Sequence, residues 1–195
     1  MNIVQFGGEK MNKVVTSREA ILKVSQKIAS EKGLQSINIR AVAKECQVSI
    51  GSIYNYFPSK ADLVIATIEE IWKSFFHMRS DYHQFDNFLH CTEWVFETIQ
   101  QGTKEYPGFF LAHAQGLDDE SLYQGKDMME KYFQHIQEGM LWVLHQDQQV
   151  KKSIFDDDLT EEQFIQFVFS NMLQLLSQNQ ESCHILKEVI RRIIY

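Results

Sequence analysis

The sequence predicts an all-α protein, a three-helix head built on a helix–corner–helix unit and followed by a helical-bundle body. Three observations predict it. Only 2 prolines and 9 glycines punctuate 195 residues, too few for the turns of a sheet protein, while 44% hydrophobic residues supply a core. Apolar residues recur at i, i+3, i+4 and i+7 in segment after segment, the spacing of one helical face. Charge divides the chain: residues 11–60 carry eight basic and three acidic side chains, whereas residues 61–195 carry 10 and 22.

Residues 1–15 hold little pattern and read as a flexible arm, with Met11 an alternative start. Thr16 to Lys32 is the first helix. Thr16 or Ser17 caps it, Ile21, Val24 and Ile28 form its inner face, and Gly33 stops it. Asn38 caps a second helix, with Ile39, Val42 and Ala43 on one face. Gln47-Val48 breaks the pattern, and Ser49 caps a third helix from Ile50 to Tyr56. Pro58 ends that helix, since the residue before a proline is driven from helical angles. Ile53 and Phe57 face inward with Val48 at the corner. Ser49, Gly51, Ser52, Tyr54 and Asn55 face out, a small and hydroxyl-rich surface suited to a phosphate backbone and base edges.

This segment resembles the DNA-binding domain of the tetracycline-repressor (TetR) family. Arg40, Val42-Ala43, Val48-Ser49, Gly51, Tyr54, Tyr56-Phe57, Lys60 and Leu63 stand in register with the family pattern, and the match runs from Thr16 to Leu63. Gln47 stands where the family usually has glycine, so a left-handed backbone there would carry a cost. Ile50 replaces a position often basic or polar. The resemblance implies a helix-turn-helix head over residues 16–60 and a ligand-binding and dimerisation body over residues 61–195. Asn38, Arg40, Ser49, Ile50, Gly51, Ser52, Tyr54, Asn55 and Lys60 are then the expected DNA contacts. Arg40 and Lys60 would neutralise phosphates, the hydroxyls would donate to the backbone, and Asn55 and Ile50 would touch bases. The basic head on an acidic body is the charge footprint of a one-ended DNA binder.

In the body, Ser59 to Met78 is a long helix whose start belongs to the head. No flexible linker separates the two. A helix follows from Gln84 to Gln101. Pro107 opens a short apolar stretch, Phe109 to Gly116, and Asp118-Asp119-Glu120 starts a long helix reaching His145. Asp156-Asp157-Asp158 marks the next loop and helix start, read as a solvated cap. Residues 162–178 are apolar nearly all round, and residues 183–195 carry a double-width stripe. Helices that need burial on two sides point to a subunit interface, as the resemblance also implies. Its expected members are Phe164, Val168, Met172, Leu175, Leu186, Val189, Ile190 and Ile193.

The body holds 12 Phe, 3 Trp and 5 Tyr. Most belong to a core, but a small-molecule effector would bind among them, and Trp72, Phe76, Trp94, Phe110, His113, Tyr132, Phe133 and Phe167 mark the expected region. No nucleotide loop, nucleophile elbow or metalloprotease motif occurs, so no enzyme activity, metal or cofactor is expected. Cys46, Cys91 and Cys183 lack metal spacing and read as reduced. No signal peptide or membrane span is apparent, and the cytoplasm is the expected location. The expected function is a homodimeric transcriptional repressor released from an operator in double-stranded DNA by a small molecule. The alternative is a helical small-molecule binding protein without operator control.

Overall fold

Short polar side chains start most of the helices. In the computed structural model, which describes residues 16–76, 82–107 and 120–195, Ser17 caps α1 (Arg18–Lys32), its hydroxyl accepting from the Ala20 N–H at 3.1 Å. Asn38 Oδ1 caps α2 (Ile39–Glu45) through the Ala41 N–H at 2.9 Å. Ser49 caps α3 (Ile50–Tyr54), and Ser59 caps α4 (Lys60–Phe75). Each supplies an acceptor to a first-turn N–H that the helix itself leaves unpaired. Asn87 starts α5 (Phe88–Glu105) in the same way. The body continues with α6 (Glu120–Gln146), α7 (Glu161–Ser177) and α8 (His184–Ile194). Among the described residues there is no strand.

Several boundaries differ from the sequence reading. α3 stops at Tyr54 rather than Tyr56, because Tyr56 N–H bonds to Ile53 O at 3.0 Å in a tighter final turn. α5 begins four residues later than Gln84, since Asn87 offers the better cap, and it runs on to Glu105. α7 is set by Thr160 and Gln163, a reciprocal capping box, not by the acidic run. Asp156 instead closes its own turn, accepting from Asp158 and Leu159 N–H groups, each at 2.9 Å. The expected arm, the Met78 end of α4 and the Phe109–Gly116 stretch lie outside the described residues.

The head core gathers Ile21, Ile37, Val42, Ile53 and Phe57, each at most 2% exposed. α4 joins head to body, packing against α1 on one side and α6 on the other. Its buried face is Leu63, Val64, Ala66, Thr67, Ile68, Ile71 and Trp72. α6 is the hub of the body and touches α4, α5 and α7, while α8 packs on α5 and α7.

One buried carboxylate locks the far end of the body. Asp147, 1% exposed, accepts from the Phe88 N–H at 2.9 Å and the Gln149 N–H at 2.9 Å. It also accepts from the hydroxyl of Tyr195, the last residue. The start of α5, the end of α6 and the end of α8 therefore share one acceptor, which satisfies the charge that burial would otherwise penalise.

Candidate nucleic-acid interface

The helix–corner–helix unit rests on four inward side chains, Val42, Ala43, Ile53 and Phe57. At the corner, Gln47 adopts φ 55°, the left-handed region. The Val48 N–H reaches back to Ala43 O at 3.0 Å and so closes the corner. A side chain in that region costs roughly 1–2 kcal/mol relative to glycine, and the corner holds it there by packing α2 against α3.

The outer surface carries the residues expected from sequence. Arg40, Ser49, Ile50, Gly51, Tyr54, Asn55 and Lys60 are exposed, and Ser52 is half-buried. Asn38 is exposed too, but its amide serves the fold: Oδ1 caps α2 and Nδ2 donates to Ser36 O at 3.1 Å. Ser49 and Ser52 hydroxyls bond each other at 2.8 Å, and Ser49 Oγ also accepts from the Ser52 N–H at 3.1 Å. One of the two hydroxyl protons is thus already used, and the pair can offer a phosphate one proton, not two.

Gly51 has no intramolecular reason to be glycine. A Cβ there would meet only Ser49 Oγ, at 3.7 Å, an ordinary contact. The space that its missing side chain leaves open faces away from the protein.

Two residues outside the sequence-derived set shape this surface. Tyr56 donates its hydroxyl to Thr16 O at 2.8 Å, pinning the start of α1 to the end of α3. The Arg18 guanidinium lies 5.4 Å from the centre of the Phe57 ring, a cation–π contact. Tyr56 belonged to the motif and was legible as such, but a partner forty residues away was not.

The electrostatics favour an anion. Lys27 pairs with Glu31 at 3.8 Å. Among the described residues, Arg18, Lys23, Lys32, Arg40, Lys44 and Lys60 have no carboxylate within salt-bridge distance. Cys46, half-buried at the corner, has its thiol pushed up by burial, which keeps it protonated and unreactive.

The expected effector region is partly one cluster. Trp72 stacks on Tyr132 (centroids 5.1 Å, 10° between planes), meets Phe133 edge-on at 5.7 Å and tilts against Phe76 at 5.7 Å. Phe76 in turn meets Trp94 edge-on at 5.7 Å. The Trp72 indole N–H points to Met129 Sδ at 2.9 Å. Phe110 and His113 lie outside the described residues. Phe167 does not join the cluster: it is 51% exposed on the outer side of α7.

Burial divides the expected interface set. Phe164, Val168, Met172, Leu186 and Ile190 are buried inside the protomer, at most 7% exposed, and leave no surface for a partner. Leu175 is half-buried. Val189 and Ile193 are each 41% exposed, joined by Ile185 at 73% and by Phe167. Ile185, Val189 and Ile193 fall at i, i+4 and i+8 and form one edge of α8, a spacing that was readable in the sequence.

Residues 21–67 match the family described as bacterial regulatory proteins, tetR family. Over 51 residues the chain is 39% identical to the HTH-type transcriptional repressor KstR of Mycolicibacterium smegmatis, covering 26% of this chain and 25% of the repressor. It is 28% identical over 111 residues to the nucleoid occlusion factor SlmA of Glaesserella parasuis, covering 55% of this chain and 54% of that protein. The chain thus spans about a quarter of the length of the repressor it matches. Among solved structures, a transcriptional regulator from Rhodococcus superposes with a TM-score of 0.67 at 18% identity, over 91% of this chain and 96% of that one. The multidrug binding protein EbrR, complexed with imidazole, gives 0.62 at 16% identity over 91% and 94%. At these identities the structures show a shared fold.

Proposed function

We propose, from the match of residues 21–67 to the tetR family of bacterial regulatory proteins and the likeness of that segment to known repressors, that this chain is a homodimeric DNA-binding repressor released from a two-fold operator by a small molecule. The observation that carries the reading is the outer face of α3. It exposes Ile50, Gly51 and Tyr54, Gly51 is open toward solvent, and among the described residues six cations of the head form no salt bridge. Such a surface neutralises phosphates with its rim and reads base edges with its centre.

The apolar edge of α8, with Phe167 beside it, is the proposed dimer contact. Two heads on a two-fold axis would place their α3 helices in successive major grooves, ~34–36 Å apart. The proposed effector enters among Trp72, Phe76, Trp94, Tyr132 and Phe133, rings carried by α4, α5 and α6 and by the residue that closes α4. Parting those rings pushes on α4, and α4 also packs against α1 of the head. The effector's preference for one arrangement then sets how far DNA affinity falls.

Selection of bound sites from random duplex DNA, followed by affinity measurement across a salt series, tests the reading. A near-palindromic site should emerge, with log affinity falling linearly against log salt. No enriched site, or an affinity indifferent to salt, would overturn it.

A further inference from the structure

Between α6 and α7 lies a groove of about 490 Å³. That volume lies within the range of small-molecule sites. Its floor is apolar, made of Phe133 and Leu141 from α6 and Ile165, Phe169 and Leu173 from α7. Phe133 and Phe169 meet edge-on there at 5.2 Å, and aromatic surface attracts cations through the ring quadrupole.

The rim has one sign of charge. Glu130 and Glu138 stand on the α6 side and Glu162 on the α7 side. The remaining polar lining is neutral, Gln134, Gln137, Gln166 and Ser170, with no lysine, arginine or histidine among the described lining residues. Several other acids of the body find basic partners: Glu69 and Glu70 share Lys73, Glu93 takes Lys187, and Glu161 meets His145 and Lys152. Glu130 and Glu162 form no salt bridge among the described residues, although Glu162 lies within the field of His145. Glu138 accepts from the Gln134 amide at 3.2 Å and lies 3.8 Å from His135 Nδ1. The Glu162 carboxyl is held below its ordinary range by its own backbone N–H and by the Thr160 hydroxyl, so it stays ionised.

From this apolar floor and an acidic rim with no lysine or arginine among its described residues we propose that the groove binds a small organic cation with an apolar body. The apolar run from Ile165 to Leu173 spans eight residue steps, ~12 Å of helix. That length fits a compact molecule and is too short to seat a docked helix of several turns. The inference goes beyond the regulatory reading and holds whether or not the head binds DNA.

Two probes of the same shape and opposite charge test it: tetraphenylphosphonium and tetraphenylborate. Each is titrated into the full chain by calorimetry, without DNA. The phosphonium should bind, and the borate about tenfold more weakly or not at all. Replacing the rim acids together (E130Q, E138Q, E162Q) should cost phosphonium affinity about tenfold and erase the discrimination. Ser170→Lys, at an exposed rim position, should weaken phosphonium binding without touching the floor. Circular dichroism confirms that each variant is folded. Equal binding of both probes would overturn the proposal. So would phosphonium binding unchanged in both variants, which would place the cation elsewhere, or no binding at millimolar probe.

Discussion

The Tyr56 hydroxyl donates to the Thr16 carbonyl at 2.8 Å across forty residues of sequence, and so fixes the end of α3 against the start of α1. Tyr56→Phe removes that bond and little else. Stability should fall by about 1 kcal/mol, a Tm loss of roughly 2–4 °C. DNA affinity should fall modestly with an unchanged salt slope, because no phosphate contact is lost. Paired thermal melts and binding isotherms at several salt concentrations check both.

Gly51→Ala separates fold from recognition. The new methyl meets only Ser49 Oγ at 3.7 Å, and alanine is the better helix former by up to about 1 kcal/mol. The variant should melt at or above the wild-type temperature while losing tenfold or more in operator affinity. A variant that binds DNA as wild type would mean that the groove does not approach α3 at this position.

Gln47 holds φ 55°. Gln47→Gly relieves the backbone at the cost of unfolded-state freedom, for a net gain of roughly 0.5–1 kcal/mol. Gln47→Val, branched at the same position, should destabilise by about 1–3 kcal/mol. Urea unfolding of the two variants gives opposite signs if the corner is strained as described.

Val189 and Ile193 are surface residues of the protomer, so charge can be placed there without opening its core. Val189→Glu with Ile193→Glu should give a folded monomer by analytical ultracentrifugation, with helicity retained. Ile190→Glu, 1% exposed in the native chain, should unfold the protein instead. A stable dimer in the double variant would place the interface elsewhere.

Tyr195 and Asp147 predict an alkaline limit. Burial, and then the hydrogen bond to Asp147, push the Tyr195 phenol well above its ordinary value near 10. The fold therefore prefers the neutral phenol. Its contribution is fully present below pH ~10, and it is lost as pH rises from there through the raised folded value. Tyr195→Phe should lower stability at neutral pH and flatten the decline above pH ~10, read by denaturant unfolding across pH. Asp147→Ala strips the acceptor from the Phe88 and Gln149 N–H groups as well, and should cost about 2–4 kcal/mol.

What the sequence disclosed was local. Ser17, Asn38, Ser49 and Ser59 are caps because a short polar side chain reaches an N–H two or three residues on, and that rule needs no tertiary information. Thr160 and Gln163 obey it too and were obscured by the acidic run before them. The Tyr56–Thr16 and Asp147–Tyr195 bonds join residues 40 and 48 apart, and no periodicity announces such pairs. The interface set divides for another reason. A double-width apolar stripe on α8 says that two surfaces are covered, not which one the protomer covers itself. Leu186 and Ile190 lie inward and Val189 and Ile193 outward on neighbouring edges of the same stripe.

The position of α4 bears on how such proteins can be recombined. A helix that packs on both α1 and α6 has no seam at residue 60, where charge and motif suggest one. The family match itself runs to residue 67, several residues inside α4. A chimera cut before Lys60 would hand the head a foreign helix to rest upon. A graft that carries α4 along would keep the head's packing and move the junction into the body, where new contacts must be made good against α6. Heads of this architecture should therefore transfer between bodies only with a length of α4 attached, and the evolutionary exchange of DNA specificity should proceed by substitution on α3 more readily than by shuffling of whole heads.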